Sequence, residues 1–260
     1  MLQHIVQSSN GTRTQFLGFL GVPGRPPKAR RVTRSHGTRP DGLRLCHFPR
    51  GGGRHGFSLT SLQSKLSPRE VERCKVITRN WIRDFVIELQ LCPYARAPFA
   101  SGQVRIAVSD AAAVKAVERA LVQEAALLIQ AEPTELATTL LVLPQFYQND
   151  FIRFYASSLA LERRWEARDQ GRSLVLVFFH PHHVYAKQNA ALQRLVPVDS
   201  LDYERRAPLP TINLLRGDQV DEVVATGKSA EMLEQNAVRL SQVSLEALEM
   251  RFQRLLELNL

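Results

Sequence analysis

Cysteine is scarce in this chain, long apolar runs are missing, and acidic residues are almost absent from its first quarter. Each lack removes a class of protein. Three cysteines in 260 residues are too few for a disulfide scaffold. Only Cys74 and Cys92 lie beyond residue 65, and without metal spacing they read as thiols of a reducing compartment. No apolar run approaches the ~18–20 residues that a membrane-spanning helix needs. With 44% hydrophobic and 23% charged residues, the chain is neither disordered nor collagen-like.

The formal charge of +9 suggests a nucleic-acid partner until the charge is located. Residues 1–65 hold eleven of the 34 Lys/Arg and one acid, Asp41, leaving 23 basic against 24 acidic groups in residues 66–260. The body is therefore not basic, and no nucleic-acid partner is expected for it. Residues 1–65 are Arg-rich, punctuated by Pro23-Gly24, Pro26-Pro27 and Gly51-Gly52-Gly53, and carry no lasting apolar period. They read as an organellar transit peptide, plastid (chloroplast) stroma favoured and mitochondrial matrix the alternative. A secretory signal around Phe16–Val22 and a retained basic arm are the competing readings.

Residues 66–260 read as a single α/β domain. Ser67-Pro68-Arg69-Glu70 is a capping-box start, and Val71, Cys74, Ile77, Trp81, Ile82, Phe85 and Leu89 follow at helical spacing up to Cys92-Pro93. A strand is expected over Gln103–Val108, then a helix capped by Ser109-Asp110 and running to Ala131. A buried strand follows over Thr138–Leu143, then a helix capped by Asn149 or Asp150, then a third strand over Ser173–Phe179. Near-continuous apolar strands mean that both sheet faces are covered. The expected architecture is three-layered: about three strands flanked by helices, with a C-terminal extension from Thr211 that is helical in pieces. One short helix is expected near Asn189–Leu195.

Certain fragments in order carry a resemblance: Leu91-Cys92-Pro93-Tyr94-Ala95, Gln103-Val104-Arg105, Thr138–Val142, Phe179-His180-Pro181, Arg206-Ala207-Pro208-Leu209-Pro210-Thr211 and Leu214-Leu215-Arg216. Over roughly residues 70–250 the chain resembles the domain of unknown function 1415 family of bacterial proteins, which has eukaryotic members behind an organelle leader. The resemblance implies a soluble α/β protein and no particular reaction. The chain departs from that pattern at Arg205, where asparagine is usual, and at Asn213, where histidine is usual.

Candidate chemistry is thin. Thr226-Gly227-Lys228-Ser229 lacks the glycine that a phosphate loop needs five positions before Gly227, where Glu222 stands. Adjacent histidines in His180-Pro181-His182-His183 share one tetrahedral ion poorly, so no metal site is assigned. His180 follows the third strand. If the strands run parallel, it meets Gln145, Asn149 and Asp150 at the carboxyl edge, where open α/β sheets bind ligands. It is read either as a general acid/base or as a histidine that satisfies a loop carbonyl. Cys92 ends a helix, which raises a thiol pKa, so it is packed rather than nucleophilic unless a cation lies beside it. Arg206 and Arg216 flank a rigid Pro208-Leu209-Pro210 turn and suit carboxylate or phosphate capture; internal pairing with Asp202, Glu204 or Asp218 is the alternative.

The resulting expectation is a small-molecule enzyme with His180 and Cys92 as catalytic candidates. Arg206, Arg216, Asn149 and Asp150 would bind an anionic metabolite, and no cofactor is identified. The alternative is a non-catalytic ligand-binding or assembly factor of the organelle.

Overall fold

Ser67 starts the described fold as its sequence requires. Its hydroxyl accepts from the Glu70 amide, and the Glu70 carboxylate accepts from the Ser67 amide at 2.7 Å. The computed structural model describes residues 66–168, 171, 173–185 and 199–257, all of which fall in one compact unit. The leader expected over residues 1–65 and the helix expected near Asn189–Leu195 lie outside the described residues.

Helix α1 (Pro68–Trp81) continues through a wider π-helical turn, Ile82–Ile87, which lets Trp81, Ile82 and Phe85 all face the core. It gives way at Gln90, whose φ is 55°. An unanticipated short helix, α2 (Arg96–Ala100), precedes strand β1 (Val104–Val108). Helix α3 spans Val114–Gln130 and starts later than Ser109-Asp110 suggested: the Ser109 hydroxyl accepts from the Ala111 amide in a local turn, and Ala113 is the extended residue before the helix. Strand β2 is Thr138–Val142 and helix α4 is Phe151–Glu166, whose first turn is capped by the Asp150 carboxylate accepting from the Arg153 amide. Strand β3 spans Leu174–Phe179 and is followed by a 3-10 helix, Ser200–Arg205.

The largest correction is Thr211–Arg216, expected to begin a helical tail. It is strand β4, and it lies inside the sheet, whose order is β1-β2-β4-β3. The sheet thus has four strands rather than three, and the helical extension begins at Gly217 with α5 (Gly217–Ala225), α6 (Lys228–Ser241) and α7 (Leu245–Leu256). Strands β1 and β2 pair in parallel, while β4 is antiparallel to both β2 and β3. Hence β1, β2 and β3 all point one way. Their carboxyl ends share an edge, as the reading of His180 assumed.

Register divides the side chains between two faces. Ala107, Leu141, Ile212, Leu214, Leu174 and Leu176 pack against α3 and α4, where Val117, Leu121, Leu128, Phe154 and Leu161 close the layer. On the other face, Leu140 and Ile106 meet Trp81, Phe85, Leu248 and Phe252 of α1 and α7. Each fully buried leucine contributes about 1.5–3 kcal/mol. The three-layer α/β architecture stands. Among the described residues no helix is long and apolar enough to cross a membrane.

Candidate functional site

The second face is only partly filled. Between it and the helices lies a cavity of about 660 Å³, floored by Val104, Thr138, Leu140, Val177, Phe179, Asn213 and Leu215. These are the residues that alternation and register turn to one side, with Leu140 directly opposite Asn213 and Asn213 opposite Val177. Trp81, Phe85 and the segment Leu91–Ala95 make one wall, and the α5–α6 pair makes another through Val220, Val223, Met232, Leu233 and Asn236. Gly227 joins those two helices in a left-handed conformation (φ 74°) that a side chain would strain.

The polar groups gather around Phe179. Trp81 packs edge-on to its ring at 5.3 Å, and the Arg205 guanidinium sits 5.9 Å from its centroid. Asn213 is its diagonal neighbour across the β3–β4 ladder. The Thr138 hydroxyl lies 2.7 Å from the Asn213 amide oxygen and 2.8 Å from the Leu214 carbonyl. A hydroxyl has one proton, so it serves one of these two acceptors. Glu204, also in the wall, accepts from the Tyr185 hydroxyl at 2.8 Å and from the Asn236 amide at 3.0 Å. Among the described residues Glu204 and Arg205 make no ion pair with each other or with any other group. The indole N–H of Trp81 has no partner.

The expected site residues divide between this cavity and the opposite face. His180 continues the alternation of β3 onto the α4 side. It is fully buried, between the rings of Phe151 and Phe154. Its Nδ1 accepts from the His182 amide at 3.1 Å, so Nε2 carries the proton and donates to the Tyr147 carbonyl at 2.9 Å. Burial lowers its pKa to about 4. Both nitrogens are engaged, and of its two readings the loop-satisfying one fits this geometry. Asp150 caps α4, and Asn149 is exposed next to it.

Arg206 is buried, with Nε donating to the His183 carbonyl at 3.0 Å and its guanidinium 4.7 Å from the Tyr203 ring. Arg216 borders the cavity, and its Nη2 donates to the carbonyls of Leu128, Ala131 and Leu136 at 2.7–2.9 Å, closing the C-terminus of α3. Neither arginine pairs with Asp202, Glu204 or Asp218, the carboxylates weighed for them. Arg105 forms a two-pronged pair with Glu124. Cys74 is core, against Val142 and Leu209.

Cys92 is in the cavity wall, and His180 is not. Burial pushes the thiol up; the amides of Tyr94 and Ala95 offset this in part. In the full chain carrying Cys46→Ala and Cys74→Ala, iodoacetamide labelling of folded protein should rise only above the free-thiol range of ~8.5, unchanged by His180→Ala. A fast limb below pH 8 that His180→Ala removes would restore the thiolate–imidazole pair.

Sequence reasoning passed over Glu204, Asn236 and the cavity role of Arg205 and Asn213. A signal was present for two of them, since Arg205 and Asn213 are the positions at which the chain departs from the pattern it resembles, and both line the cavity. Glu204 and Asn236 carry no local motif; strand β4 and the α5–α6 pair bring them together. A family model described as "Protein of unknown function (DUF1415)" matches residues 73–250, 178 of the 260 residues. No curated protein and no solved structure matches the chain.

Proposed function

The chain belongs to the DUF1415 family, whose description assigns no reaction, and we propose that it is a small-molecule-binding protein whose ligand fills the cavity over Phe179. The ligand has an apolar body and a charged head with an anionic group on Arg205. The observation that carries this reading is the cavity itself. Its volume of about 660 Å³ falls within the ~300–1,000 Å³ of small-molecule sites, and an apolar lining with a few convergent polar groups is the usual composition of such sites. Val220, Val223, Met232 and Leu233 belong to no core cluster, so the inner face of α5–α6 has the cavity as its neighbour. Binding is favoured over catalysis by His180 and Cys92 because the histidine is sealed on the other face and the thiol is raised.

8-Anilinonaphthalene-1-sulfonate, an apolar body with one anionic head, is a suitable first probe. The cooperatively folded full chain should bind it saturably at one site. Val223→Trp, which fills the cavity from α5, should weaken it at least tenfold, about 1.4 kcal/mol. Arg205→Ala should weaken it similarly. Unsaturable binding, or binding that Val223→Trp leaves intact, would sink the reading.

A further inference from the structure

Resting on that reading of the cavity, we infer that the head group is a zwitterion: the ligand is an apolar amino acid, its carboxylate on Arg205 and its ammonium on Glu204.

The argument starts from two charges of opposite sign on consecutive residues. Glu204 and Arg205 end the 3-10 helix, and their Cα atoms are therefore ~3.8 Å apart. Both side chains enter the cavity wall, yet they do not pair with one another. Each is held by something else. Glu204 is fixed by two neutral donors, the Tyr185 hydroxyl and the Asn236 amide, which orient the carboxylate but bring no charge of their own. Arg205 is placed over the Phe179 ring, also within reach of the Tyr185 hydroxyl and of the field of Glu162 on α4.

A partly buried charge facing an apolar chamber is costly unless it gains a partner. A simple anion would satisfy Arg205 and bring like charge up to Glu204. A simple cation would do the reverse. A head that carries ammonium and carboxylate on adjacent atoms meets both charges at once, on the length scale of the two neighbouring residues. Arg216 stands at the other end of β4 from Thr211, the residue paired with Phe179, with Nε and Nη2 turned to the carbonyls of Leu128, Ala131 and Leu136, so Arg205 is the guanidinium beside Phe179. The apolar floor of Leu140, Val177 and Leu215 then receives the side chain.

Calorimetric titration of the full chain with L-phenylalanine, 3-phenylpropanoate and 2-phenylethylamine separates the charges on one apolar body. L-Phenylalanine should bind at least tenfold tighter than either singly charged relative. Glu204→Gln should erase its advantage over 3-phenylpropanoate, and Arg205→Gln its advantage over 2-phenylethylamine, with thermal melts confirming that both variants fold. If 3-phenylpropanoate binds as tightly as L-phenylalanine, the zwitterion is overturned and the cavity reading survives. The zwitterion is equally overturned if none of the three binds while the anilinonaphthalene probe does. If that probe fails as well, the cavity reading falls with it.

Discussion

Between pH 7 and pH 5 the Glu162→Gln variant is expected to lose about 3–4 kcal/mol of stability, and the wild type only about 2. The loss comes from His180 and His183, whose pKa values burial lowers from 6.5 to about 4 and about 3. Below pH 6.5 the unfolded chain takes up two protons that the folded chain refuses until pH 4 or lower, so stability falls as pH falls through that window. Each histidine contributes roughly 2 kcal/mol by pH 5, from 1.36 kcal/mol per pKa unit. His182, lowered in the same direction, adds to the trend.

Glu162 opposes it. Burial and the neighbouring Glu166 raise its carboxyl from 4.5 to about 7, and one of its oxygens is buried without a partner. Ionising it in the fold is unfavourable, so protonation between pH 7 and pH 4.5 returns stability. That gain is about 1–2 kcal/mol after discounting for its partial exposure. Urea unfolding at pH 7, 6 and 5 reads the difference directly. His183→Phe, which keeps the ring between Phe151 and Tyr185, should remove about half of the loss. A profile that is flat in Glu162→Gln would refute the assignment.

Replacing Arg216 by Met should cost about 2–4 kcal/mol, a fall of roughly 2–4 °C in Tm for each of them. One guanidinium serves three carbonyls at and beyond the end of α3. Those of Leu128 and Ala131 are among the last acceptors of a helix, which have no partner within it, and Leu136 belongs to the loop that follows. Removing the charge also forfeits its favourable position at the negative end of the helix dipole, and each stranded buried acceptor costs about 1–3 kcal/mol. Arg216→Lys should recover only part of this, because the lysine has no counterpart of the Nε that donates to Leu136 and none of the guanidinium's planar preorganisation. Thermal melts of the three proteins decide it; a Met variant within about 0.5 kcal/mol of wild type would show that water replaces the side chain.

How far the sequence could be read differs from element to element. Helices α1 and α4 were legible because their caps are chemical: Ser67 with Glu70, and Asp150 with the Arg153 amide. Helix α3 has no side-chain cap, and the serine that looked like one closes a tighter turn. Strand β4 was hidden for a stronger reason. Its six residues pass straight from a proline turn into α5, and Asn213 interrupts the apolar pattern. That same asparagine floors the cavity, so the interruption that concealed the strand is part of the candidate site. The position of His180 at the carboxyl edge was readable from β3. Its role was not, because its two hydrogen-bond partners come from backbone at Tyr147 and His182.

The placement of β4 also governs when the fold can close during synthesis. Thr138 of β2 pairs with Leu215, 77 positions later, and among the described residues the same strand is the one sheet neighbour of β3. As the chain emerges from the ribosome, β1 and β2 join early, but β2 waits with one edge unpaired and β3 waits without a strand partner. Both strands are rich in leucine and valine, the kind of exposed strand that recruits other chains. Closing so distant a pair is slow, and a truncation before residue 211 leaves the β1–β2 pair and a lone β3 with nothing between them. Nascent chains halted there should aggregate or engage chaperones, whereas those released past Arg216 should not.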